Sequence, residues 1–222
     1  MVFVSGQLIA FSGMEGAGKS TQIQLLGKEL RRWGKRPVYF WTRGGYTGLF
    51  NALKSSLRHV LGMRLPPSGR NERRARAFKK PWVRTIWLSI AILDLLLLYG
   101  FYVRMSRIFG RVIIADRYLW DTWVDFQLNF PQAKVDQWIL WRILTRLAPE
   151  PDASFLLIIP IEESLRRSKQ KNDPFPDSEY VLRKKKELYL RLASARKWHN
   201  LDGLKPIQSI HETILEKLSA SA

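Results

Sequence analysis

The chain has 222 residues, 46% of them apolar, with three histidines, no cysteine and a formal net charge of +18. That length fits one domain with a proper core, while the missing cysteines exclude disulfides, thiolate zinc sites and cysteine nucleophiles, and the scattered His59, His199 and His211 make no metal cluster. The positive excess calls for an anionic partner, whether polyphosphate, nucleic acid or an acidic membrane surface, and by itself chooses none of them.

Leu8-Ile9-Ala10-Phe11 is a short apolar run that reads as a buried strand. It follows no basic segment or small-residue cleavage site, which fits an unprocessed, cytoplasmic protein. Thr21 to Leu30 reads as a helix, and between strand and helix lies Gly13-Met14-Glu15-Gly16-Ala17-Gly18-Lys19-Ser20, which fits the pattern G-x-x-x-x-G-K-[ST]. Glycines let the backbone curl so that successive N–H groups face phosphate oxygens, and the helix start adds the positive end of its dipole. Lys19 is then expected to reach the β- and γ-phosphates, Ser20 to hold Mg²⁺, and Thr21 to support the loop or the α-phosphate. The pattern indicates a nucleoside triphosphate site and says little about what receives the phosphate.

Pro37 to Trp41 reads as a second short strand, with Thr42-Arg43-Gly44-Gly45-Tyr46-Thr47-Gly48 as a loop at its carboxyl end, the edge where open α/β sheets bind ligands. Residues 49–61 have helical character. Pro66-Pro67-Ser68-Gly69 then breaks the chain inside an irregular basic insertion at about 64–84, which carries Arg70, Arg73, Arg74, Arg76, Lys79, Lys80 and Arg84. From Thr85 to Val103 the chain is apolar, with Asp94 its only charge, and by length it could span a bilayer. Yet Arg111 to Asp116 reads as a strand of the same sheet as the glycine loop, and one span between them would put the two strands on opposite sides of a membrane. Residues 85–103 therefore read as a long buried helix, in the core or at a homodimer interface, with membrane-surface contact as the alternative.

Further on, Gln137 to Leu147 is helical and Ser154 to Ile159 is a buried strand. Ile161 to Lys169 starts a helix with Glu162 and Glu163 in its first turn, as the dipole favours. The stretch Lys171 to Asp177 interrupts it. A helix follows from about 178 to 195, then a strand over 197–201, a turn at Asp202-Gly203, and a last helix over 207–218. Basic residues crowd the region from Arg166 to Lys197, a pattern that often means only a solvated helix face. Strands alternating with helices predict a parallel sheet covered on both faces.

Taken together, the glycine loop, Thr42-Arg43-Gly44-Gly45, Asp116-Arg117-Tyr118, Pro151-Asp152 before a strand, Pro160-Ile161-Glu162-Glu163, the basic segment Leu165 to Lys171 and the Asp202-Gly203 turn resemble the thymidylate kinase family of P-loop nucleoside monophosphate kinases. The resemblance covers essentially the whole chain. It implies a single P-loop NTPase domain over 1–222, with a five-stranded parallel sheet, helices on both faces and a short basic lid at about 164–178. It also implies ATP and Mg²⁺ as cofactors and a small phosphate acceptor as partner, nucleic acid not being expected.

By the same resemblance Asp116 orients Mg²⁺ or accepts a proton from the attacking group, while Arg117 and Arg43, with Gly44 and Gly45, hold an anionic acceptor. Asp121, with Asp125, is expected to accept hydrogen bonds from sugar hydroxyls. Since the glycine loop carries Glu15 and no arginine, balance of transition-state charge falls to the lid, with Arg166 and Arg167 ahead of Lys169 and Lys171. Asp202 and Gly203 are placed near adenine. The acceptor side departs from the family: Arg43 runs directly into Gly44-Gly45 without a Glu-Pro pair, and Ile92-Leu93-Asp94-Leu95-Leu96 lacks the arginine expected after Asp94. The leading expectation is phosphoryl transfer from ATP to a nucleoside monophosphate, dTMP first. A sugar, polyol or other small alcohol is the second acceptor class, and a nucleotide-dependent module binding nucleic acid or a membrane surface is the alternative of another kind.

Overall fold

A computed structural model describes residues 6–42, 76–171, 177–196 and 198–220. The expectations for residues 43–75 lie outside these, including Arg43, Gly44 and Gly45, the helix at 49–61 and the break at 66–69. Five strands form one parallel sheet: β1 (Leu8–Gly13), β2 (Val38–Trp41), β3 (Ile113–Asp116), β4 (Ala153–Ile158) and β5 (His199–Asp202), in the order β2-β3-β1-β4-β5. In β1 every position is buried, as a run of apolar residues without alternation predicts for a strand covered on both faces. The registers Phe11↔Asp116 and Gly13↔Leu157 bring the carboxyl ends of the strands to one edge.

Alternate residues of each strand feed two different cores. Ile9, Phe11, Ile114, Phe155 and Leu157 pack with Ile23, Leu26 and Leu30 of α1 (Lys19–Arg32) and with Ile210, Ile214 and Leu218 of the last helix, Ile207–Ala220. On the opposite face Leu8, Ala10, Ile113 and Ala115 meet a long helix, α2 (Pro81–Ile108). Two further helices, α3 (Leu119–Asn129) and α4 (Ile139–Leu147), close that side through Phe126, Trp141 and Leu144. Next come α5 (Ile161–Gln170) and α6 (Glu179–Arg196), the latter packed on α3 and β4 through Tyr189, Leu192 and Ala193. The last helix is α7. The five-stranded parallel sheet with helices on both faces is the P-loop NTPase architecture.

Two expectations change. The irregular insertion does not extend to residue 84, because Pro81 already opens α2 at a first helical position where proline's fixed φ and missing N–H cost nothing. Nor is the long helix buried all round. Trp87, Leu88, Ile92, Leu95, Tyr99 and Val103 pack against the sheet, whereas Leu93, Leu97, Phe101 and Ile108 are exposed. Between Leu96 and Val103 the helix widens to π-helical turns. By length and composition α2 could cross a membrane, but its inner face is part of the sheet's core.

Candidate active site

Parallel strands put Gly13, Asp116, Ile158 and Asp202 at the same edge, and the glycine loop turns from β1 into α1 there. Gly13 has φ 134°, and a Cβ on it would fall 2.0 Å from Leu157 O, so only glycine lets the loop leave the sheet. Gly16, at φ 76°, lies against the Arg167 side chain. Lys19 is folded back over the loop, its Nζ donating to Gly13 O at 3.1 Å and Met14 O at 2.8 Å. Burial, reinforced by the nearby Arg117, lowers its pKa to about 8. Ser20 and Thr21 are exposed at the start of α1.

Glu15 is the electrostatic centre of the loop. Its Oε1 accepts from Arg117 Nη2 at 2.8 Å and from Lys185 Nζ at 2.6 Å, and its backbone oxygen accepts from Ser164 Oγ at 2.7 Å. Burial alone would raise the carboxyl, yet Lys185, then Arg117 and Lys19, hold it well below the usual carboxylate range. Lys185 is 1% exposed and also donates to Asp177 Oδ2 at 3.1 Å. Arg117 has a left-handed backbone, φ 72°, rare for a residue with a side chain. Its N–H donates to Phe11 O, its carbonyl accepts from Thr42 Oγ1, and the turn directs its guanidinium back over the loop. Burial disfavours its charge, but the facing Tyr189, Asp125, Glu15 and Asp121 keep it protonated.

Beside it, Asp116 Oδ1 is buried and makes no hydrogen bond among the described residues. An oxygen of that kind at the strand edge suits a hard cation that takes oxygen ligands, as does the hydroxyl of Ser20 at the start of α1. Asp121, from which a sugar contact is expected, is bonded within the protein. Its Oδ2 accepts from Ser12 Oγ at 2.7 Å and Tyr118 N at 2.8 Å, and its Oδ1 accepts from Tyr189 OH at 2.7 Å. The side chain caps α3 and ties α6 to β1, so both oxygens are already committed within the protein. Burial pushes its pKa up, against the pull of Arg117 and these donors. Asp125, one turn on, lies 4.0 Å from Arg117 Nη1.

The two lid arginines part ways. Arg166 points outward and forms a bidentate pair with Glu163 of its own helix. Arg167 turns inward, with Nη1 donating to Gly16 O at 2.8 Å and reaching Gly203 O at 3.4 Å. Lys169 and Lys171 are exposed. Gly203 sits on the other side of the loop, where a Cβ would come within 2.7 Å of Ala17 O, and Asp202 caps the following turn through Leu204 N. The residues that sequence reasoning missed here are Ser164, Asp177, Lys185 and Tyr189. A signal existed for Lys185, which falls in helical step with the buried Leu182, Tyr189 and Leu192 and so marks a cation on an apolar face.

A thymidylate kinase family model matches residues 108–214. Over nearly their full lengths, the chain is 26% identical to a thymidylate kinase of Sulfurihydrogenibium sp., covering 96% of this chain and 97% of that protein. It is 27% identical to a probable thymidylate kinase of Methanocaldococcus jannaschii, covering 96% and 95% respectively. In fold it is similar to the crystal structure of thymidylate kinase from Ehrlichia chaffeensis, with a TM-score of 0.58 at 16% identity over 97% of this chain and 99% of that one. In sequence and in fold the chain thus resembles the thymidylate kinase family, and it is an ATP-dependent, thymidylate kinase-like enzyme.

Proposed function

We propose that the chain transfers the γ-phosphate of ATP to a nucleoside monophosphate, with dTMP the first candidate. The observation that carries this reading is the convergence of Lys19, Arg117 and Arg167 on one glycine loop at the carboxyl edge of the sheet. Phosphoryl transfer needs positioning and charge balance more than covalent chemistry, and three cations around a backbone cradle supply both. Lys19, released from Gly13 O and Met14 O, reaches the β- and γ-phosphates. Arg117 offers the acceptor its Nη1, which makes no hydrogen bond among the described residues. Arg167, a backbone contact away from Gly16, stabilises the charge spread over the transferred phosphoryl. Asp116 and Ser20 would hold Mg²⁺, which supplies neutralisation of phosphate charge when bound. Arg43, Gly44 and Gly45 complete the acceptor side in this reading, with Asp202 and Gly203 beside adenine.

A second acceptor class, a sugar or other small alcohol, is favoured by one feature. Leu95 follows Asp94 on α2 and is fully buried, so no cation stands at that place for an acceptor phosphate. The same proposal takes the exposed face of α2 as the seat of a second copy of the chain and places the enzyme in the cytoplasm. The deciding experiment is an ADP-release screen over nucleoside monophosphates, sugars and polyols, with Lys19→Ala as background. Turnover with dTMP supports the first reading, turnover only with unphosphorylated acceptors supports the second, and none above background overturns both.

A further inference from the structure

We propose that Lys185 is a positioning residue for the transfer, acting through Glu15 to set the direction of the Arg117 guanidinium. This goes beyond the proposed phosphoryl transfer and rests on it. One oxygen of Glu15, Oε1, receives both cations: Lys185 Nζ at 2.6 Å and Arg117 Nη2 at 2.8 Å. The other oxygen, Oε2, is buried and has no hydrogen-bond partner among the described residues. The orientation of the carboxylate is therefore set by the two groups that share Oε1, and of these one side chain is held by a second acceptor as well.

That one is Lys185. It lies in the middle of α6, with Leu182 and Tyr189 at three and four residues' distance and each 1% exposed. Tyr189 is anchored in turn by its bond to Asp121 Oδ1. The ammonium is held again from the other side by Asp177 Oδ2. Arg117 is tied at its backbone by Phe11 O and Thr42 Oγ1, but its side chain leaves a left-handed turn after β3, and its Nη1 makes no hydrogen bond among the described residues, Asp125 Oδ2 lying 4.0 Å away. A guanidinium is planar, so fixing Nη2 on Glu15 also fixes where Nη1 points. The order of support runs from α6 through Lys185 and Glu15 to Arg117, which delivers its other arm to the acceptor edge. A misplacement of about an ångström at a reacting centre costs on the order of 100-fold in rate.

The bland alternative is that Lys185 only neutralises Asp177 in a buried place. Four variants separate the two: Lys185→Met, Lys185→Met with Asp177→Asn, Glu15→Gln, and Lys185→Met with Glu15→Gln. Lys185→Met is expected to lower kcat about 10- to 100-fold while the KM for ATP stays within about 3-fold. Adding Asp177→Asn is expected to restore thermal stability without restoring kcat. In the Glu15→Gln background the Lys185→Met change is expected to cost no further rate, because the two act as one unit. Full recovery of kcat in the Asp177→Asn double variant, or an equal rate loss in both Glu15 backgrounds, overturns the inference. A structure of Lys185→Met with Asp177→Asn gives a readout independent of turnover: Arg117 Nη2 still on Glu15 Oε1 overturns the inference, and its departure supports it. Absence of wild-type turnover above the Lys19→Ala background counts against the proposed transfer alone, and the structural readout then decides the role of Lys185.

Discussion

Replacing each of two neighbouring arginines by alanine tests the transfer chemistry with an internal control. Arg167→Ala removes the contacts of Nη1 with Gly16 O and Gly203 O and the pair with Glu163. Hydrogen bonds to neutral acceptors contribute about 0.5–1.5 kcal/mol each, so losing two should cost the variant about 1–3 kcal/mol of stability, the solvent-screened pair adding little. A domain stable by about 5–15 kcal/mol remains folded after that loss. The rate should fall much further, by about 100- to 1,000-fold in kcat, as for a donor aimed at charge that develops during the reaction. Arg166→Ala gives up, among the described residues, a solvent-screened pair with Glu163 in which the arginine side chain is 57% exposed, and should keep kcat within about 2-fold. The assay is ADP release at saturating ATP and acceptor, run beside thermal unfolding of the same preparations. If Arg166→Ala slows turnover as much as Arg167→Ala, the assignment of the inward arginine fails.

Three other outcomes are expected. Tyr189→Phe leaves Asp121 Oδ1 without its donor in a fully buried place and should lower the free energy of urea unfolding by about 1–3 kcal/mol; an unchanged urea midpoint would mean that Asp121 is not the internal tie described above. Lys19 in the free protein has its pKa lowered to about 8, and phosphates should raise it again on binding. ATP binding at pH 8 should therefore take up protons, visible by calorimetry in buffers of different ionisation enthalpy, and affinity should weaken as pH rises above about 8; proton release would contradict this. Phe101→Asp on the exposed face of α2 should shift the sedimentation of a homodimer to that of a monomer, and a wild-type chain that sediments as a monomer at micromolar concentration removes that part of the proposal.

What the sequence disclosed of this site follows the range over which its interactions act. The glycine loop is legible because its chemistry is local: eight consecutive residues carry the turn, the N–H groups, the ammonium and the hydroxyl. Asp116-Arg117-Tyr118 is legible for the same reason, as a polar triplet ending an apolar strand. The choice between Arg166 and Arg167 is not local, since the two differ by one helical step of 100° and only the docking of α5 on the loop decides which turns inward. For Asp121 the spacing from Asp125 reads as one polar helix face, and does not show that Ser12, Tyr118 and Tyr189, two of them distant in the chain, donate to its carboxylate. The contact of Lys185 with Glu15 joins positions 170 residues apart. Helical periodicity shows that Lys185 faces inward but not what it meets. The half-exposed face of α2 escaped notice because a uniformly apolar stretch has no polar side to reveal which way it turns.

The position of β1 in the sheet also bears on how the molecule is made. β1 holds the centre of the order β2-β3-β1-β4-β5, and its backbone partners are residues 113–116 on one side and 153–157 on the other. Leu8 N finds its acceptor on Asp152, 144 residues later. At a synthesis rate of about 5–20 residues per second, the strand that leads into the glycine loop waits roughly 7 to 30 s for both neighbours. Until β3 arrives its apolar side chains and backbone groups lack either sheet neighbour, and until β4 follows one edge stays open. The segment made early is therefore sealed late, and a slowdown in translation between β1 and β4 would lengthen the time in which the nascent chain is open to aggregation or chaperone capture.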